Sequence, residues 1–124
     1  MTTLVFDIET IPDVELGRRV FGLEGLADEQ VAKAMFAHAR QHGGSEFLPL
    51  EQHRIVAISC VLRRADTLRV WSLGDASTGE AELIQRFFEG IERYTPQLVS
   101  WNGSGFDLPV LHYRALRHGV VARR

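Results

Sequence analysis

Apolar and polar residues alternate along this chain in patterns that mark both strands and helices. Thr3 to Phe6 is a short apolar run, which predicts a buried strand ending at Asp7-Ile8-Glu9. Pro12 breaks the run, and a section that is polar on average follows. Within it Val31, Met35 and Ala39 recur at helical spacing and predict a helix over Asp28 to Gln41, with Gly43-Gly44 as its stop. Glu46 to Gln52, which contains Pro49, reads as loop.

The second half is more regular. Ile55 to Leu62 is apolar on both faces and β-rich, predicting a central strand. Arg63 to Asp66 reads as a turn, and Thr67 to Leu73 as a partner strand with Leu68 and Val70 inward. Ser77 to Glu80 has the Ser-x-x-Glu form of a capping box. It is expected to open a helix that presents Ile84, Phe87, Phe88 and Ile91 on one face, with Pro96 just past its end. Gln97 to Trp101 predicts another strand, Asn102 to Gly105 a loop, and Asp107 the N-cap of a final helix. That helix turns Leu108, Leu111 and Ala115 inward and stops at Gly119. Strand, inserted helical section, strand, strand, helix, strand, helix describes an α/β fold whose sheet has a mixed edge.

Composition narrows the class. At 124 residues the chain is one small domain or a piece of a larger one. No apolar stretch approaches the roughly 18 residues of a membrane span, and the acidic N-terminal segment does not resemble a secretory signal. The single cysteine, Cys60, excludes an intrachain disulfide and fits a reducing cytoplasm. A net charge of −2 argues against a uniformly basic nucleic-acid-coating surface, but not against an enzyme that grips a strand end through cations. After Asp107 come Arg114, Arg117, Arg123 and Arg124 with no acidic residue among them, a run that reads as a solvated helix face plus a tail.

The chemistry worth weighing is carried by carboxylates. Alternate residues of a strand point the same way, so Asp7 and Glu9 project together, about 7 Å apart at the backbone. Two such acids repel unless a cation joins them, and hard oxygen ligands suit Mg²⁺ or Mn²⁺. They could equally be two solvated acids at a strand end. Asp107, after a strand and next to glycines that admit close backbone approach, could cap a helix, face a ligand, or do both.

Taken together these residues resemble a known family. Asp7-Ile8-Glu9-Thr10 resembles the first motif of the DEDD exonucleases, and Asn102-Gly103-Ser104-Gly105-Phe106-Asp107 resembles the Asn-x-x-x-Phe-Asp second motif of their B-family polymerase branch. The flanking segments are similar to stand-alone bacterial 3′→5′ exonucleases related to those polymerase domains. The resemblance implies a ribonuclease H-like mixed sheet with flanking helices, with residues 13–51 inserted between its first and second strands. It implies two Mg²⁺ or Mn²⁺ ions held by Asp7, Glu9 and Asp107, about 3.5–4 Å apart. It also implies hydrolysis from a nucleic-acid 3′ end, expected to be single-stranded DNA, that releases nucleoside 5′-monophosphates. Thr10 and Ile11 would contact the terminal nucleotide, and Asn102 and Phe106 would position the strand, unless Phe106 is a core aromatic.

One part of the pattern is missing. The family's third motif, Tyr-x-x-x-Asp or His-x-x-x-x-Asp, has no match, since no Asp or Glu follows Asp107. His112 and Tyr113 come too early to supply it. The expectation is a chain lacking the last strand and helix of the fold, truncated at Arg124, and weak or inactive by itself. A non-catalytic nucleic-acid or protein binding module of the same fold is the main alternative. A haloacid dehalogenase-type phosphatase fits poorly, with Glu9 in place of its second Asp and Lys33 the only lysine. His38 and His42 lack the companions of a zinc site, Cys60 lacks an activating neighbour, and Asn102 to Gly105 lacks the Lys-Ser/Thr of a phosphate-binding loop.

Overall fold

A computed structural model describes residues 1–122, so Arg123 and Arg124 of the basic run lie outside the described residues. In chain order the elements are β1 (Thr2–Pro12), α1 (Val14–Phe21), α2 (Asp28–Gly43), β2 (His53–Arg64), β3 (Thr67–Ser72), α3 (Glu80–Tyr94), β4 (Gln97–Val99) and α4 (Leu108–His118). A 3₁₀ turn precedes β2 and a π-helical turn precedes α4. The chain divides into two compact units, Ile11–Arg54 and the remainder.

The larger unit holds a four-stranded sheet of order β3-β2-β1-β4. β2 and β3 pair antiparallel, whereas β1 and β4 pair parallel across the α3 crossover. The expected mixed α/β sheet is therefore present. One face of the sheet forms the core: Leu4, Phe6 and Ile8 of β1 and Ile58, Cys60 and Leu62 of β2 are all buried. Helix α3 supplies Leu83, Ile84, Phe87, Phe88 and Ile91, with the Phe87 ring 4.9 Å from that of Phe6. Side chains four residues apart lie on one face of a helix, and this stripe is what seats α3 on the strands.

Three local expectations are corrected here. Leu68 and Val70 face solvent, at 65% and 73% exposure, while Trp71 and Leu73 are the half-buried pair. Both alternating sets of β3 are apolar, and the set with the indole covers more area, so it turns inward. β2 is buried along one face, with Val56 exposed on the other. Ser77 and Glu80 form no capping box: Gly79 is the N-cap of α3, and the Ser77 hydroxyl donates to Asp75 instead. The hydrogen bonds from Ser77 and Thr78 hold the Asp75 carboxyl below its ordinary range.

The smaller unit contains α1, which sequence patterning did not reveal, and α2, which it did. Asp13 caps α1 by accepting from the Leu16 N–H at 3.1 Å. Val31, Met35 and Ala39 of α2 pack with Leu48, and Val14 and Phe21 of α1 rest against them. At Gly17 a Cβ would lie 2.5 Å from Met35 Sδ, so any larger residue there would force the Met35 side chain to shift. Helix α2 ends at Gly44 in the left-handed conformation, with φ of 78°, as the Gly-Gly pair leads one to expect.

Candidate functional site

Parallel pairing of β1 with β4 brings the two acidic motifs to the same end of the sheet. Val5 stands opposite Val99, so Asp7 lies two residues beyond the last paired position of β1. The chain leaves β4 at Ser100 and Trp101, two residues beyond Val99, and turns into the segment that carries Asp107. Crevices at the carboxyl ends of parallel strands are where α/β sheets bind ligands. Asp7 and Glu9 are exposed, alternating with buried Phe6 and Ile8, so both stand on the face away from the core.

The turn between β4 and α4 is wide. The Leu108 N–H donates to Gly103 O, the Phe106 N–H to Asn102 O at 2.8 Å and the Asp107 N–H to the same oxygen at 3.3 Å. Such π turns are rare and concentrate at functional sites. Gly105 permits this one, since a Cβ would sit 2.6 Å from Asn102 Oδ1. The expected loop is thus already helical, which changes the role of Asp107. Its backbone is α-helical, with φ −59° and ψ −52°, and its side chain makes no capping bond. An N-cap needs extended backbone so that its side chain can turn back to the free N–H groups.

Asp107 is instead buried, at 4% exposure, and its Oδ2 has no hydrogen-bond partner. Ser100 Oγ is likewise buried without a partner. An unpaired carboxylate oxygen away from water is costly unless a cation or proton meets it. This donor suits a hard divalent ion, and Asp7 and Glu9 at the same end of the sheet are chemically of the same kind. Among the described residues, however, no group of three or more His, Cys, Asp or Glu side chains is close enough to hold a metal ion. Asn102 is exposed, Phe106 and Thr10 are half-buried, and Ile11 is 40% exposed.

What holds α4, and Asp107 with it, is a buried ionic cluster that sequence reading missed. Arg114, assigned above to a solvated basic face, is 1% exposed. Its Nε donates to Glu80 Oε2 at 2.9 Å and its Nη2 to Oε1 at 2.7 Å. The Ile55 N–H donates to Oε2 and His118 Nε2 meets Oε1, each at 2.7 Å. Burial pushes the Glu80 carboxyl up, but the bonds from Arg114, His118 and Ile55 outweigh it and hold the group below its usual range. Glu80 thus ties α3 and α4 to β2. The signal available in sequence was spacing: Arg114 and His118 are four apart, and Arg114 shares the helix face of buried Leu111.

The remaining candidates behave as side chains of local structure. His38 and His42 stack on each other at 4.1 Å, and His42 Nδ1 meets His38 O at 3.0 Å. Cys60 is buried, and desolvation pushes its thiol up to about 11.

A family model described as predicted 3′→5′ exonuclease related to the exonuclease domain of PolB matches residues 45–124. The chain belongs to this family. The matched span includes the π turn and Asp107, while Asp7 and Glu9 precede it. The DNA polymerase 1 of Sulfurisphaera ohwakuensis is 50% identical over 38 residues, and that of Sulfolobus acidocaldarius 47% identical over 38 residues. Each stretch covers 31% of this chain and 4% of the polymerase, so the chain spans a small part of these relatives. Membership in this exonuclease family fits the mixed sheet with flanking helices, the arrangement expected of a ribonuclease H-like fold. No helix among the described residues is long and apolar enough to cross a membrane.

Proposed function

We propose that this PolB-exonuclease relative takes part in removing nucleotides from the 3′ end of single-stranded DNA, using Mg²⁺ or Mn²⁺. The observation that carries the reading is the buried, unpartnered Oδ2 of Asp107 at the sheet end that also bears Asp7 and Glu9. These three carboxylates would hold two ions, which in such sites activate a water and stabilise the leaving 3′-oxygen, releasing nucleoside 5′-monophosphates. Thr10 and Ile11 would meet the terminal nucleotide, and Asn102 and Phe106 would guide the strand. The lone buried thiol is compatible with work in a reducing cytoplasm.

Mn²⁺ titration of the chain beside Asp7→Ala and Asp107→Ala variants tests this. Binding that weakens in both variants supports the reading, and equal behaviour of all three overturns it. Metal-dependent shortening of a 3′-labelled oligonucleotide that neither variant diminishes would contradict the assignment of these carboxylates.

A second reading is a ribonuclease H-like module that binds nucleic acid or protein without cutting it. The absence of a three-ligand cluster among the described residues favours it. Under that reading neither substitution alters binding of Mn²⁺.

A further inference from the structure

Trp101 has no place in the site described so far, yet it is the least expected side chain on this surface. It is fully exposed, at 101%. An indole offers about 150–250 Å² of area to bury, and tryptophan is highly buried on average in folded proteins. Among the described residues the molecule's other tryptophan, Trp71, behaves that way: it is half-buried beside its register partner Cys60, with the Arg69 guanidinium 5.3 Å from its ring.

Its place in the topology gives the exposure a meaning. Trp101 follows the end of β4 by two residues, just as Asp7 follows Val5, the β1 residue paired with Val99. Trp101 therefore stands at the end of the sheet where Asp7 and Glu9 emerge, immediately before exposed Asn102 and six residues before Asp107. The register partners Val5 and Val99 are 42% and 44% exposed, so the sheet surface leading to this end also carries apolar area. An exposed indole offers a π face, and every nucleobase presents one whatever its sequence.

We infer that Trp101 is a stacking platform for an unpaired nucleobase of the strand whose 3′ end enters the carboxylate site. The inference rests on the nuclease reading and deepens it, by adding a base-binding residue and the requirement that the base be unpaired and unstacked. A duplex end would have to fray before its base could lie on the indole. The contact discriminates little among the four bases, as an enzyme that shortens arbitrary ends requires. Because Trp101 makes no core contact, its removal leaves the fold intact, and the effect on binding can be read directly.

The test uses the whole chain with Trp71→Phe, which leaves Trp101 as the one indole fluorophore. A short oligothymidylate with a non-hydrolysable 3′ linkage, titrated in Mn²⁺, is expected to quench its emission. By an independent readout such as fluorescence polarisation of a labelled oligonucleotide, Trp101→Ala is expected to weaken binding about tenfold, within the range for one stacked base, while Trp101→Phe retains most of the affinity. An oligonucleotide abasic at its last positions should bind the unaltered chain and Trp101→Ala alike. Affinity of Trp101→Ala within about twofold of the unaltered chain, or an abasic strand bound as tightly as the intact one, overturns the stacking role. If Mn²⁺ binding still depends on Asp107 in that case, the metal reading stands without it. An unaltered chain that binds neither Mn²⁺ nor the oligonucleotide overturns both.

Discussion

Replacing Arg114 by Met removes a guanidinium from a site that is closed to water. Glu80 accepts four hydrogen bonds, two from Arg114 and one each from His118 and the Ile55 N–H, which fills the capacity of a carboxylate. The substitution deletes two of them, both charge-assisted, and leaves a carboxylate whose side chain is 5% exposed. Such bonds contribute about 1.5–3 kcal/mol each, and breaking a buried pair from one side costs about 3–5 kcal/mol. Two donors remain and the methionine stem keeps part of the packing, so we expect a loss of about 3 kcal/mol near pH 7. That is a large share of the roughly 5–15 kcal/mol that stabilises a typical domain.

The same variant carries a sign test. In the parent chain the Glu80 carboxyl lies below its ordinary value, so its stabilisation is present above the unfolded carboxyl pKa of about 4.3 and is lost as pH falls through the lower folded value. Without the Arg114 bonds that oppose burial, the folded carboxyl rises relative to the parent's, so the variant loses less stability than the parent as the solution is acidified. The difference between parent and Arg114→Met must therefore shrink between about pH 7 and pH 4. Urea unfolding followed by far-ultraviolet circular dichroism at both pH values measures it. Pairing the change with Glu80→Gln should recover part of the loss, because the stranded charge is gone. A loss below about 1 kcal/mol at neutral pH, or one that is the same at both pH values, would refute the argument.

Other outcomes follow from burial and pairing. Asp107→Asn exchanges a carboxylate whose Oδ2 is buried without a partner for a neutral amide, so the metal-free chain should be no less stable in the same urea assay, while losing its response to Mn²⁺; clear destabilisation would mean that Oδ2 has a protein partner. Cys60, buried and with its thiol pushed up to about 11, should resist a disulfide reagent at mildly alkaline pH until urea unfolds the chain; prompt stoichiometric labelling of folded protein would contradict its burial. Ile58→Ala, at a fully buried site, should cost about 2–5 kcal/mol, whereas Val70→Ala, 73% exposed, should stay within about 0.5 kcal/mol; similar losses would show that β3 is turned the other way.

Much of the molecule could be read from its residues because those signals are local. Helical spacing of Val31, Met35 and Ala39, and of Ile84, Phe87, Phe88 and Ile91, marks the buried faces of α2 and α3 whatever they pack against. Gly44 and Gly119 end α2 and α4 in the left-handed conformation that glycine tolerates best, and the spacing of Asp7, Glu9 and Asn102 to Asp107 is enough to show the family resemblance. Tertiary structure decided what depends on partners distant in sequence. That Trp71 rather than Leu68 turned inward could not be read from β3 alone, since both of its alternating sets are apolar and only the paired sheet shows which one covers the core. Glu80 exchanged a local capping role for Arg114, 34 residues away, because a guanidinium enclosed with it in the core binds more strongly than one backbone N–H at a helix start. Asp107 lost its capping geometry to a π turn, whose extra residue is invisible to a pattern of residue types, and its unpartnered oxygen is a property of the space around it. Periodicity records which side of an element is apolar; what occupies the other end of a buried charge is known only when the chain has closed around it.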